Sequence, residues 1–525
     1  MKEPELTSAG LKTWFGFVVM CVGMFMAILD IQIVATSLPT IQQALQIKPN
    51  QMIWIQTSYL TAEVVAIPLT GFLTARLGMR WLFVSAVTLF TLASIGCAQS
   101  SDFTSLILWR IIQGFAGGTL IPGVFAAVFL LFPPRSQGLA TTIAGVAAVL
   151  APTIGPIVGG WLTETYSWHW LFRVNIIPGM LAAIGAAVAL NSPAANERSS
   201  RSIDLFALVM LAGALITLEI GLKDAPTLGW GSVRVMILMT FFLGFSVTFA
   251  VRTWRATNPL VELRCFADQN FTIGCLLSVI LGIGLFGSTY LMPFFLGLVR
   301  EHGALEIGEI MLVTGIAQLV TAPIAVFLEK RVDARALTMF GFALFAAGML
   351  MSMRQTADTD FAEMLVPQIM RGAAVMFCLL PPTRMALGQM PSSLVADASG
   401  LFNLMRNLGG AFGLALIDTT IFSRADIYSR TIANQLRAGN ISVAESIGIP
   451  RDAFLEQLGE VPDEFTTEMV RPLVEKAALV HAINDAWMFI GVITALALIL
   501  LLWVRRPSEL NFEDPMHLYD ATSLS

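Results

Sequence analysis

Apolar residues along this chain fall in long unbroken runs separated by short polar segments, rather than in alternation or in one-sided helical stripes. The runs lie near 14–37, 53–73, 81–98, 103–131, 138–162, 169–190, 203–222, 233–252, 270–298, 307–328, 336–353, 363–386, 396–422 and 483–504. A hydrocarbon core of about 30 Å takes roughly 20 helical residues at 1.5 Å each, so the runs suit membrane-crossing helices. The pattern predicts fourteen of them. It excludes a β-barrel, whose strands are about ten residues of alternating polarity. The first run, from Trp14 to about Ser37, is too long for the apolar core of a signal peptide and has no small-residue cleavage site after it, so it is expected to be the first span.

Composition agrees with this pattern. The chain has 525 residues, 56% hydrophobic and 13% charged, with a mean hydropathy of +0.74, whereas soluble domains carry roughly 25% charged residues. The net charge of −5 says less than the placement of Lys and Arg. With the N-terminus inside, the inner set is Lys2, Lys12, Arg76, Arg80, Arg135, Arg198, Arg201, Arg252, Arg255, Arg264, Lys330, Arg331, Arg335, Arg384, Arg505 and Arg506. Only Lys48, Lys223, Arg234, Arg300 and Arg354 fall in short outer segments, so sixteen against five puts both termini in the cytoplasm. The largest polar piece, 423–482, then lies outside, with nine acidic and six basic residues. It reads either as a solvated cap or as a docking surface for a periplasmic partner. Cys21, Cys97, Cys265, Cys275 and Cys378 have no disulfide or metal spacing and are expected to be structural.

An internal repeat is visible. Ile67–Leu82 and Ala322–Leu337 align at a constant offset of 255, pairing Pro68 with Pro323, Phe72 with Phe327, Arg76 with Arg331 and Arg80 with Arg335. Repeated halves with a site between them are a recurring transporter plan. Here they imply two six-helix halves, 14–190 and 270–504, with an extra helix pair at 203–252 between them.

An ionisable group at membrane depth costs about 2.5–3.5 kcal/mol on insertion scales, so each one needs a reason. Asp30 lies about seven residues before the outer end of its run and Arg110 about seven after the outer start of its own, which permits a salt bridge at equal depth. The pair reads as a proton switch or as a fixed helix tie. Gln56, Tyr59 and Glu63 share one helical face, with Gln56 and Tyr59 expected at the substrate cavity between the halves and Glu63 near mid-membrane as a second protonatable group, an attractor of cationic substrate or a structural group. Asn403, Arg406 and Asn407 share a face that Arg371 is expected to approach, either as lining groups of a substrate cavity in the second half or as plain helix-to-helix hydrogen bonds. Phe25, Tyr290 and Phe294 suit bulky apolar ligands, while packing is the bland alternative. Arg173 is expected to snorkel, and Glu219 and Asp418 are expected to be interfacial. Gly155, Pro156, Gly159 and Gly160 predict a bend and a close helix contact, a hinge or a seal. The four histidines have no metal-ligand spacing, no P-loop pattern for ATP is present, and no enzyme constellation appears.

These motifs resemble those of the fourteen-span drug:proton antiporters of the major facilitator superfamily, the EmrB/QacA group. Leu29–Pro39 resembles the group's first-span signature, with Gln32 and Ala35 where Thr and Asn are usual. Leu106–Gly118 matches its span-four pattern through Arg110, Gln113 and Gly114. Ala151–Gly160 resembles the span-five antiporter motif, and Asn258–Leu263 the junction before span nine. Gly71, Arg76, Gly78 and Arg80 match the superfamily's loop between spans two and three, but Ala75 stands where its Asp is usual. The resemblance runs from about residue 14 to 504 and implies an all-α polytopic major facilitator fold. It further implies efflux of amphipathic or hydrophobic compounds by rocker-switch antiport, driven by the proton-motive force without a cofactor. Asp30, Glu63 and Arg110 would couple protons. The outer piece before the last span is closest to the EmrB-like branch, which implies a periplasmic adaptor (a membrane fusion protein) and an outer-membrane channel. Membrane lipid is the surrounding partner and nucleic acid is not expected. A proton symporter importing a metabolite, a non-transporting sensor and a membrane enzyme are the rivals.

Overall fold

In lipid every backbone N–H and C=O of an apolar run must be bonded within the run, which leaves the helix as the form each run takes. The computed structural model describes residues 10–47, 49–190, 204–256, 259–329, 331–391, 393–456 and 464–504. They form α1 (Leu11–Leu45), α2 (Pro49–Ala66), α3 (Thr70–Gln99), α4 (Phe103–Gly117), α5 (Leu120–Leu131), α6 (Pro134–Thr165), α7 (Trp170–Arg173), α8 (Ile176–Ala189), α9 (Leu205–Leu228) and α10 (Val233–Arg255). They continue with α11 (Gln269–Leu298), α12 (Ala304–Glu329), α13 (Ala334–Met351), α14 (Phe361–Leu387), α15 (Val395–Arg437), α16 (Ile441–Ser446), α17 (Arg451–Glu456) and α18 (Glu464–Leu500). No strand occurs among the described residues. Lys2, Lys48, Arg198, Arg201, Asn258, Lys330, Arg505, Arg506 and residues 457–463 lie outside them.

Among the described residues eleven segments are long and apolar enough to cross a membrane, or twelve with the bent helix at 134–165 taken as one span. One of the eleven, Trp54–Gln99, has 46 residues, about twice what a membrane needs, and folds back at Gly78. Gly78 has φ 75° and ψ 155°, a backbone conformation that side chains with a Cβ rarely adopt. At the repeat offset its counterpart is Asp333, whose carboxylate accepts from Arg335 N at 2.8 Å and starts α13. Both copies of the repeat therefore break the chain at the same point, by different chemistry. The run expected at 396–422 is helical throughout, but it carries Asp397, Arg406 and Asp418 and is not among the eleven.

The helices pack in two groups. In the first, α1 lies against α6 and α8, and α4 against α2 and α3. In the second, α11 lies against α15 and α18, and α14 against α12 and α13. The α9–α10 pair docks through α9 onto α2 of one group and α15 of the other. Trp230 Nε1 donates to Thr419 Oγ1 at 3.0 Å and ties the pair's turn to α15.

The groups meet at two levels. On the face where α1 starts, the near face, Ser399 Oγ donates to the Pro122 carbonyl at 2.8 Å and Gly71 abuts Asp397. Toward the far face, Gly308 of α12 abuts Ile157 of α6.

The segment 423–482, read from the sequence as a solvated cap or a docking surface, is largely a continuation of its flanking helices. At 43 residues α15 is roughly 64 Å long and α18, at 37, roughly 55 Å, so both outrun a membrane. Their extensions are sealed by apolar packing of Ile432, Val474 and Ala478. Tyr428 Oη donates to Asp485 Oδ2 at 3.0 Å, and α16 and α17 close the end. Local polarity hid this helix because its partner is another helix, not lipid.

Close approach sets the packing within each group. A Cβ on Gly114 would collide with the Tyr59 carbonyl on α2, and one on Gly372 with the Thr314 carbonyl on α12. Gly114→Val is expected to lower stability by about 1–3 kcal/mol, read as a fall in the thermal unfolding midpoint in detergent. Gly123→Ala, where nothing lies within 4 Å, is expected to change little; equal effects would refute the close-approach account. At the far face, Arg300 holds the Asp360 carboxyl, the cap of α14, at about 2 against the ordinary 3.8, with His302 helping. A depressed carboxylate stabilises above its unfolded value, so this contact is expected to be whole above about pH 4 and lost as pH falls toward about 2. Amide exchange at Phe361 across pH 2–5 measures it, and Arg300→Gln should move the transition upward.

Candidate functional site

The polar centre of the first group is built around Asp30, which is fully buried in α1. Asp102 caps α4 by accepting from Ser105 N at 3.0 Å, and this start carries Arg110 two turns into the helix. Arg110 Nη1 donates to Asp30 Oδ2 at 2.5 Å. Oδ1 of the same carboxylate accepts from Gln113 Nε2 at 3.0 Å and from Asn175 Nδ2 at 2.7 Å. Arg110 also donates through Nη1 to Gln113 Oε1 at 2.7 Å and through Nε to the Ile55 carbonyl at 3.1 Å. Gln113 Nε2 reaches Ser94 Oγ at 2.8 Å. The guanidinium lies over the Tyr59 ring at 4.3 Å, leaving Nη2 without a hydrogen-bond partner.

Five segments, α1, α2, α3, α4 and the α7–α8 break, thus take part in the network around one carboxylate. Every bond to the carboxylate and from the guanidinium is charge-assisted, which is what lets an ion pair persist away from water. Chemically it does one thing well: a proton on Asp30 would remove the charge that holds Arg110, and would leave Gln113 and Asn175 as its neutral neighbours.

Gln113, Asn175 and Ser94 were not singled out from composition or spacing. Gln113 stands three residues from Arg110, on the same face, and that spacing is the signal that finds it. Asn175 sits in the two-residue break between α7 and α8, and only the fold brings it to Asp30.

The other sequence-derived residues are distributed as follows. Tyr59 is fully buried inside the first group against Arg110, with its hydroxyl 3.4 Å from the Ala27 carbonyl, so it is core rather than seam. Glu63 is 5% exposed, has no hydrogen bond among the described residues, and lies within electrostatic reach of Arg110, Glu219 and Asp30. Gln56 and Phe25 are half-buried. Glu219, half-buried in α9, lies within electrostatic reach of Glu63 and Lys223, and Asp418 accepts from Tyr290 Oη at 2.7 Å. Arg173 is exposed, with its guanidinium 5.4 Å from the Trp170 ring.

In the second group Asn403 Oδ1 accepts from Arg406, whose guanidinium lies 5.5 Å from the Phe125 ring of α5. Asn407 is half-buried. Arg371 does not join them. It turns to the opposite side of α14, with Nη2 3.4 Å from Met292 Sδ and the guanidinium 4.5 Å from the Trp487 ring. The reason is helical phase: Gly348 of α13 leaves the space into which its stem packs.

Gly155 abuts Gln32 of α1, and the Gly159 carbonyl accepts from Ser37 Oγ at 3.5 Å, so the Pro156 segment lies flat against α1. The Gly160 carbonyl accepts from Thr163 Oγ1 at 3.1 Å. Arg76 is exposed and Arg80 lies over Trp81. Where Ala75 leaves the loop without its usual carboxylate, Asp397 in the first turn of α15 abuts Gly71 and complements that helix's own dipole. The five cysteines are buried and free, and no metal-ligand cluster occurs among the described residues.

Comparison with known proteins agrees with this architecture. The Major Facilitator Superfamily profile matches residues 20–414. The colistin resistance protein EmrB of Acinetobacter baumannii is 34% identical over 507 residues, 96% of this chain and 98% of that protein. The multidrug export protein EmrB of Escherichia coli K12 is 29% identical over 486 residues, 92% and 93% of the two chains. The solved proton:xylose symporter XylE superposes with a TM-score of 0.58 at 13% identity, covering 94% of this chain and 96% of its own, a likeness of fold alone. This chain, multi-pass and helical throughout its spans, belongs to the major facilitator superfamily of membrane transporters.

Proposed function

We propose that the protein exports amphipathic compounds across the bacterial inner membrane by proton antiport. The observation that carries this reading is the buried Asp30 network, in which one carboxylate of α1 is held by Arg110 and Gln113 of α4 and by Asn175 of the α7–α8 break. An intramembrane ionisable group is a functional site by default. Here its protonation state sets how α1, α4 and the α7–α8 break hold together. A proton reaching Asp30 frees Arg110 and shifts the balance between two packings of the groups, a rocker switch about the α6–α12 and α15–α5 contacts. Glu63, with no hydrogen bond of its own among the described residues, serves as the second protonatable group. One proton crossing about 100 mV supplies roughly 2.3 kcal/mol, enough for about a 40-fold gradient of a neutral solute.

Export of structurally varied compounds is supported by the printed roles of the relatives, colistin resistance in one and multidrug export in the other. In this reading the chain crosses the membrane fourteen times, with α9 and α10 inserted between six-helix halves and the near face in the cytoplasm. The α15–α18 stalk then stands in the periplasm, where its sealed apolar packing gives an adaptor a firm surface to meet.

Asp30→Asn is expected to abolish compound-dependent proton release from inverted vesicles energised acidic inside, while the thermal midpoint holds within a few degrees. Antiport that persists in Asp30→Asn sinks the coupling role. Because the native cysteines are buried, a single cysteine at exposed Ser442 is expected to react with an impermeant maleimide from the periplasmic side, and one at Arg255 only after the membrane is opened. The reverse pattern would overturn the orientation.

A further inference from the structure

The first group of helices answers its buried arginine with an acid, and the second does not. Arg110 of α4 meets Asp30 of α1. Arg371 of α14 is 3% exposed, and the side chain it meets on α11 is Met292, whose Sδ lies 3.4 Å from Nη2. Arg371 forms no ion pair among the described residues, and its Nη1 has no hydrogen-bond partner there. The carboxylates of that group are committed elsewhere, Asp418 to Tyr290, Asp485 to Tyr428, Asp360 to Arg300 and Glu329 to Arg384. A guanidinium withdrawn from water without a counter-charge is costly, and it cannot discharge by losing its proton.

A second unmatched donor stands beside it. Trp487 of α18 is fully buried, and its indole Nε1 has no hydrogen-bond partner among the described residues. A buried tryptophan N–H ordinarily finds an acceptor. The Arg371 guanidinium lies 4.5 Å from the centre of the Trp487 ring, so the two donors belong to one place. Gly348 of α13 borders it, and a Cβ there would press on the Arg371 stem. Against these donors α11 offers a thioether sulfur, a weak acceptor. A water molecule would bring two protons of its own to a place already rich in donors. An anion brings acceptor capacity and the missing charge together.

We infer that Arg371 and Trp487 hold a small inorganic anion, chloride, inside the second group of helices. The ion does for Arg371 what the Asp30 carboxylate does for Arg110, through a charge-assisted bond from the guanidinium and one from the indole. Burial of both side chains leaves no path for an acid carrying a chain, so the ion is a fixed counter-ion and not cargo. Chloride takes up no proton in the range where a carboxylate does. The second group therefore stays locked by its ion at any pH that titrates Asp30. The site does not depend on the direction of transport or on proton coupling.

The test is thermal unfolding of the purified full-length protein in nanodiscs of zwitterionic lipid, read by a thiol-reactive dye on the five buried cysteines. Sodium chloride replaces sodium gluconate stepwise at constant ionic strength and pH. An ion bound to the folded form alone raises the midpoint, so the wild type is expected to gain a few degrees along a saturating curve. Bromide should act alike and sulfate should not. Arg371→Gln should flatten the curve. So should Met292→Asp, which sets a carboxylate of the protein against Arg371. Trp487→Phe keeps the ring and removes one donor, and should move half-saturation upward about tenfold. A wild-type midpoint that is the same in chloride and gluconate overturns the inference, as does an equal response to sulfate. A saturating chloride response that survives in folded Arg371→Gln or Met292→Asp overturns it too. Should neither variant fold, an unchanged half-saturation in Trp487→Phe decides against the site.

Discussion

The pairing of Asp30 with Arg110 is the interaction on which the first group of helices depends. Neither charge is stable alone away from water, and together they are stable only with their remaining donors and acceptors met. Gln113 and Asn175 complete the carboxylate, and the Ile55 carbonyl takes a further guanidinium proton. Satisfying one acid therefore fixes the mutual placement of α1, α2, α4 and the α7–α8 break. A bond network of this kind works as a positional lock as long as the acid is charged.

That lock demands close helices, and small residues deliver them. Gly114 lets α4 touch the backbone of α2, and Gly372 repeats the contact between α14 and α12. The polar residues beside these glycines are also repeated, in reversed order. Arg110 and Gln113 precede Gly114, while Gln368 and Arg371 precede Gly372. What is not repeated is the acid. Met292 Sδ stands near Arg371, where the first group has a carboxylate against its arginine. The close-packed glycine is thus matched in the two groups while the charges are not: one holds a buried ion pair, the other buried arginines with no ion pair among the described residues.

The contacts between groups follow from α15 more than from any other element. It meets α5 through Ser399, abuts Gly71 with Asp397, carries Arg406 to the seam, and receives α9 on its flank. Its extension with α18 then forms the stalk. A helix with this many roles is also one of the least apolar: Ser399, Asp418 and Thr419 along it bond to other elements, while Thr420, Ser423 and Thr431 bond back to its own carbonyls.

The run lengths alone determined the helical membrane fold, because lipid leaves an apolar segment no other way to bond its backbone. The depth of Asp30 and Arg110 was equally legible, since rise per residue converts sequence position into height. The first-span, span-four and span-five motifs already carried the resemblance to the superfamily. Rotation about each helix axis, and the partner found there, were decided only by tertiary structure. Arg371 faces α13 and α18 rather than Arg406, Tyr59 faces Arg110 rather than the seam, and Asn175 reaches Asp30 across 145 residues. The end of α15 was hidden for the same reason. Burial against lipid is written in hydropathy, whereas burial against another helix depends on which faces meet, and a single run of residues does not contain that information.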